Sequence, residues 1–195
     1  QARKTAEISL REAELHYRTV ADFTYDWEYW RNPDGSLKYV SPACERITGY
    51  SAEHILKHPN FLQEIVIPED AHIWEKHGLE IEHKHTPREI QFRIRRKDGK
   101  VDWLEHTCQP VTKPTGEFIG YRASNRNITE NVSAQAALSE SENLYRSLVE
   151  NASIGILLAN PDGKILSVNA ATLGMLGSPS KEATKKINLL SFPPL

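Results

Sequence analysis

Little in this sequence points to an enzyme or a membrane protein. Among its 195 residues are two cysteines, Cys44 and Cys108, and one methionine. Cysteines this far apart make neither a disulfide framework nor a CxxC metal knuckle, and they fit a reducing cytoplasm. An excess of either charge is missing. The balance of 24 basic and 26 acidic residues gives −2, which excludes a strongly basic nucleic-acid binder and an acidic tail. No run approaches the roughly 18 apolar residues of a membrane span. The opening residues are charged and helical in character rather than signal-like. The signatures GxGxxG, GxxxxGK, HExxH and GxSxG are all absent, so no catalytic site is expected. Hydrophobic residues make up 39%, enough for a core, and the start at Gln1 reads as a piece of a longer protein.

What the sequence does have is a repeat. Asn32-Pro33-Asp34-Gly35 recurs as Asn160-Pro161-Asp162-Gly163. The same offset of 128 carries Leu10 to Leu138, Tyr17-Arg18 to Tyr145-Arg146, Val40 to Val168, Ala43 to Ala171 and Gly49 to Gly177. Residues 5–50 and 133–178 share 13 identities in 46 positions without a gap; average composition would give about 3. A tandem duplication follows. By this offset the first unit is complete, and the second is cut short or continues past residue 195.

Within one unit the pattern changes from helix to strand. Leu10, Ala13, Tyr17 and Val20 form a narrow helical stripe, and Leu138, Ser141, Tyr145 and Leu148 repeat it. Each stripe either packs on its own domain or forms a two-stranded dimer seam through Leu10, Tyr17, Val20, Leu138, Tyr145 and Leu148. Phe23 to Trp30 is aromatic-rich and reads as a strand, followed by the Asn-Pro-Asp-Gly turn and a return strand over 37–40. Ser41 with Pro42 reads as a helix start, and Asn169 stands at the matching place. Short helices are expected near 42–48 and 52–57. Asp70 is expected to cap a longer helix over 71–84. Ile90, Phe92 and Ile94 alternate with polar residues, Asp98-Gly99 is a turn, and strands follow over 101–111 and 118–127. Two strands before a helical stretch and three after it predict an α+β domain. Its five-stranded antiparallel sheet carries helices on one face and is preceded by an amphipathic helix.

These residues resemble the PAS family of sensory domains. The resemblance rests on Tyr39-Val40-Ser41-Pro42-Ala43 with Thr48-Gly49-Tyr50-Ser51, and on Ile67-Pro68-Glu69-Asp70. It also rests on Phe92 to Gly99 followed by Trp103, and on Gly116, Gly120 and Asn127-Ile128-Thr129-Glu130. It divides the chain into an N-terminal signalling or dimerisation helix (1–20), a PAS domain (21–127), a linker helix (128–150) and a partial second PAS domain (151–195). The resemblance implies a sensory and dimerising module of a bacterial-type signalling protein. Its output, in the rest of the protein, is a histidine kinase; a diguanylate cyclase module or a ligand-free interaction scaffold is the alternative. The signal exit is Asn127, Ile128, Thr129 and Glu130. The family's exit motif usually begins with Asp, whereas Asn127 hydrogen-bonds but forms no ion pair.

The candidate pocket lies between the long helix and the sheet, with Tyr25, Trp27, Ile73, Trp74, His77, Phe92, Trp103 and Tyr121 either lining it or filling it. The face on which Trp103 lies is not fixed by pattern, because both faces of 101–108 carry apolar residues. The expectation is no cofactor and no metal, with a small organic ligand as the open alternative. A covalent flavin adduct is excluded: photoreceptor relatives place a reactive Cys before Phe-Leu-Gln, and here Pro59 stands there ahead of Phe61-Leu62-Gln63. Haem would use His72 or His77 on the long helix, but the charged setting of Glu75-Lys76-His77 disfavours it. Zinc by His72, His77, His83 and His85 is disfavoured because their spacings do not gather two on one face. The run Arg93, Arg95, Arg96, Lys97 and Lys100 reads as a solvated strand face and turn rather than a phosphate track. The expected partners are therefore a second copy and an output domain in the same chain, with no nucleic acid, no membrane contact by this segment, and a cytoplasmic location.

Overall fold

A computed structural model describes residues 2–84 and 87–191, with side chains over 7–81 and 87–191. The side chain of His83, and all of His85, fall outside the described residues. The chain divides into two compact units, with the boundary at Val132.

In the first unit, helix α1 (Ala2–Asp22) leads to strands β1 (Trp27–Arg31) and β2 (Leu37–Val40). Short helices α2 (Ala43–Thr48), α3 (Ala52–Leu56) and α4 (Phe61–Ile65) follow, then a 3-10 turn at Pro68–Asp70 and the long helix α5 (Ala71–Lys84). Strands β3 (Arg88–Arg95), β4 (Val101–Thr112) and β5 (Phe118–Asn127) complete one antiparallel sheet in the order β2-β1-β5-β4-β3. This is the α+β architecture that the pattern of alternating apolar residues predicts.

The inner face collects Trp27 and Tyr29 of β1, Phe92 and Ile94 of β3, Leu104 and Cys108 of β4, and Ala123 of β5. Cys44, Ile47, Ile55, Phe61, Leu62, Ile65 and Ile81 pack over them from the helices. Strand alternation therefore puts every second residue of β4 (Leu104, His106, Cys108) on the buried side. The close approach of β5 to β1 needs Gly120, whose φ is 127°; a Cβ there would lie 2.2 Å from Arg31 O.

Three local expectations give way. The strand expected from Phe23 begins at Trp27, because α1 runs on to Asp22 and both Phe23 and Tyr25 are exposed. Ser41 makes no side-chain cap on α2. Its Oγ accepts the Glu28 backbone N–H at 2.9 Å, tying the strand to the helix start instead. Asp70 is drawn away from capping by Arg93: its carboxylate accepts from Arg93 N (2.8 Å), Nε (2.9 Å) and Nη2 (2.7 Å).

Helix α6 (Thr129–Asn151) leaves the first unit, and all but its first turn belongs to the second. There β6 (Leu157–Ala159) pairs antiparallel with β7 (Ile165–Val168), followed by α7 (Ala170–Leu176) and α8 (Lys181–Lys185). Asn169 caps α7 through Thr172 N at 3.0 Å, as its position predicts. Among the described residues, no helix is long and apolar enough to cross a membrane.

Candidate functional site

The first unit holds a cavity of about 190 Å³ beside α4 and α5. Trp27, Tyr29, Ile55, Phe61 and Trp74 supply its apolar wall, and Arg31, Asn60, Gln63 and Glu75 its polar rim. Pro59, where an adduct-forming thiol would stand, is part of the same wall. Trp27 is buried, and its Nε1 has no hydrogen-bond partner among the described residues. Of the residues read from sequence as pocket candidates, Trp27 and Trp74 line this cavity. Phe92 is fully buried and packs edge-on against Trp74 at 5.4 Å. Tyr121 is half-buried on the inner side of β5, and its hydroxyl donates to Ile81 O at 3.3 Å. Ile73 is half-buried and contributes nothing to the wall.

Two candidates belong elsewhere. Tyr25 is exposed, with the Arg46 guanidinium 4.0 Å from its ring centre. Trp103 lies on the outer face opposite Arg93, whose guanidinium sits 5.2 Å over its ring. The apolar Val101 on that same face is what hid the strand's parity.

His77 is buried one turn from Trp74 and from Ile81, on the inward face of α5. It meets a residue the sequence reading passed over: His106, fully buried on β4, whose ring lies 4.9 Å away. Cys108, two residues along β4, completes a group. One ring nitrogen from each histidine and the Cys108 Sγ all lie within 4.8 Å of one another. The His-x-Cys spacing on an alternating strand is the signal that could have found it.

Burial sets the chemistry of this group. His106 is held down to about 3, above all by desolvation, and His77 is lowered for the same reason, so both rings are neutral. Desolvation pushes the Cys108 thiol up to about 12. Asn125 on β5 fixes the tautomer of His106. Its Nδ2 donates to Trp27 O at 3.1 Å, so its Oδ1 faces the His106 Nδ1 at 2.8 Å. That nitrogen must carry the proton, and the His106 Nε2 is left as a bare lone pair with no partner among the described residues. The His77 Nδ1 is likewise buried, and has no partner among the described residues.

The end of the sheet makes a second focus. Asn127 Oδ1 accepts the Thr129 N–H at 2.9 Å, starting α6, while its Nδ2 donates to Asp102 Oδ2 at 2.9 Å. Asp102 is paired with Arg96 at 3.0 Å, so the charge missing from position 127 sits one strand away. Thr129 Oγ1 accepts the Trp103 N–H at 2.8 Å, and Ile128 N donates to Trp103 O at 2.9 Å. Ile128 is buried and Glu130 exposed. The helical stripes face outward within their own units: Leu10, Tyr17 and Val20 on α1, and Leu138, Tyr145 and Leu148 on α6, are each more than half exposed. Two members of the cationic run are paired with carboxylates, Arg93 with Asp70 and Arg96 with Asp102; on β5, Arg122 pairs with Glu28 and Arg126 with Asp26.

Comparison with known proteins agrees with this architecture. A family model described as PAS fold matches residues 37–125, and one described as PAS domain matches 143–195. A sensory box histidine kinase/response regulator from Burkholderia thailandensis is similar in structure, with TM-score 0.51 and 18% identity over 68% of this chain and 98% of that one. An RNA-binding light-oxygen-voltage receptor is similar at TM-score 0.55 and 25% identity, covering 72% of this chain and 39% of that one. The uncharacterized protein y4lL of Sinorhizobium fredii is 22% identical over 167 residues, 82% of this chain. The chain spans about a fifth or less of the curated relatives it matches. With two family models covering most of its length and a five-stranded antiparallel sheet in the order described, the chain belongs to the PAS family.

Proposed function

We propose that this chain is a sensory relay: a change in the core of the first unit, caused by a small molecule or by packing, is passed through β5 to α6. A second copy pairs along the α1 and α6 stripes, and the output is a histidine kinase elsewhere in the protein. The observation that carries this reading is the junction at residues 127–129. There, side chains and backbone of one strand end hold the first turn of a helix through Asp102 and Trp103. A strand that moves must move that turn. The cavity beside Trp27 and Trp74 supports a seat for the stimulus. The carboxylates on Arg93, Arg96, Arg122 and Arg126, together with a net charge of −2, argue against a phosphate track and favour a protein output over nucleic acid.

The test is made on the 195-residue chain. Light scattering gives a dimer, and Tyr145→Asp gives a monomer. Thr129→Val, which removes the acceptor of Trp103 N–H, raises hydrogen exchange at Trp103 and at the first turn of α6 about tenfold, the equivalent of one hydrogen bond of ~1.4 kcal/mol. A monomeric parent chain overturns the paired helices, and unchanged exchange overturns the junction.

A further inference from the structure

We propose that His77, His106 and Cys108 form a binding site for one cuprous ion in the core of the first unit. Binding stands apart from the relay reading, and its test reads the metal alone.

The three residues come from two elements, helix α5 and strand β4. Alternation along β4 turns His106 and Cys108 inward, and the helical period turns His77 down onto them. An apolar core would take leucine or phenylalanine at these places. Instead, two imidazole nitrogens are buried with no hydrogen-bond partner among the described residues, an arrangement that suits a bound ligand. Asn125, itself locked by Trp27 O, holds the His106 proton on Nδ1 and so presents Nε2 as a donor. Such an outer partner is how proteins orient a metal-bound histidine. Trp74 (5.2 Å) and Phe92 (6.2 Å) surround the His106 ring and exclude water.

Donor type and charge choose the ion. Two imidazoles and a thiolate suit soft or borderline cations, not magnesium or calcium. Among the described residues no carboxylate joins the group. Two neutral rings and one thiolate cancel a monovalent cation and would leave a divalent one with an uncompensated buried charge, which a desolvated site disfavours. Metal–ligand bonds of about 2.0–2.3 Å place three donors about 3.5 Å apart. The observed 4.8 Å spread therefore closes by rotamer adjustment of about an ångström. On binding, the Cys108 S–H bond breaks, its proton passes to buffer, and the sulfur lone pair forms the Cu–S bond; no electron is transferred.

The experiment titrates the anaerobic chain, kept reduced with ascorbate, against the coloured Cu⁺–bicinchoninate complex. The parent chain is expected to withdraw one equivalent. Cys108→Ala and His77→Phe are each expected to weaken withdrawal at least a hundredfold, and Asn125→Leu between about tenfold and a hundredfold. Cys44→Ala and His58→Ala, at a separate buried thiol and an exposed histidine, leave it unchanged. Tryptophan fluorescence checks that each variant is folded. Should the core variants not fold, X-ray absorption of the copper-loaded parent must show two nitrogens and one sulfur. No withdrawal by the parent, equal withdrawal by Cys108→Ala, equimolar Zn²⁺ displacing Cu⁺, or a sulfur-free copper shell overturns the proposal.

Discussion

The two copies of the repeat build one joint with different atoms. At the end of the first hairpin, Ser41 N donates to Glu28 O and Ser41 Oγ accepts from Glu28 N. At the matching place in the second unit, Asn169 N donates to Ile156 O and Asn169 Oδ1 accepts from Ile156 N at 2.8 Å. The longer asparagine also reaches the helix. Its Oδ1 accepts from Thr172 N and Thr172 Oγ1, and its Nδ2 donates to Val149 O and Ile154 O. Ser41 has no amide to donate, and its Oγ is taken by Glu28 N, so α2 begins without a side-chain cap. The difference follows the cores. The first unit buries an aromatic cluster beneath five strands. The second buries Ile165 and Val168 with Asn169, Thr172 and Thr184, so a polar hub does what apolar packing does in its neighbour.

That contrast can be broken from its strong end. Asn169→Ala strands several buried groups at once and is expected to cost the second unit about 3 kcal/mol, at ~1–3 kcal/mol per unsatisfied group. Hydrogen exchange at Ile156 and Thr172 reads the loss. The first unit should not respond, and its fluorescence reports it alone, because Trp27, Trp30, Trp74 and Trp103 all lie there. Asp70→Asn comes next. The Arg93 guanidinium holds the Asp70 carboxyl below the usual carboxylate range. Its contribution is therefore complete above about pH 4 and fades as pH falls through the lowered value. The variant should lose about 2 kcal/mol at neutral pH, the scale of a charged hydrogen bond, and should lose part of the acid sensitivity of the parent's urea midpoint. Ser41→Ala should cost the first unit about 1 kcal/mol, one hydrogen bond, in the same assay. If Ser41→Ala proves as damaging as Asn169→Ala, the two joints are equivalent and the contrast fails.

Much of this was legible before any coordinates. Period-two alternation over 90–94 and the Asn-Pro-Asp-Gly and Asp-Gly turns specify strands and their connections locally, and the five-stranded sheet follows. What pattern could not supply was competition between partners. Ser41 and Asp70 are good caps in isolation, but Glu28 N and Arg93, distant in sequence, claim their oxygens. Trp103 looks like core until its strand is given a parity, which depends on Arg93 lying opposite. The same uncertainty concealed His106 and Cys108. His77 stands out on its helix, yet its neighbours come from a strand almost thirty residues later.

The sheet order has a consequence for synthesis. Strand β1 is hydrogen-bonded to β5, with Trp27 opposite Asn125 and Arg31 opposite Tyr121. On a ribosome adding about 5–20 residues per second, the first hairpin therefore waits about 4–17 s for its central partner to be made. Until then it has an open edge and exposed aromatic residues, and a chaperone has its best opportunity there. The last strand to emerge is the one that closes the sheet, and its final residue begins the exit helix. The nascent chain thus completes its core and starts its output path in one step.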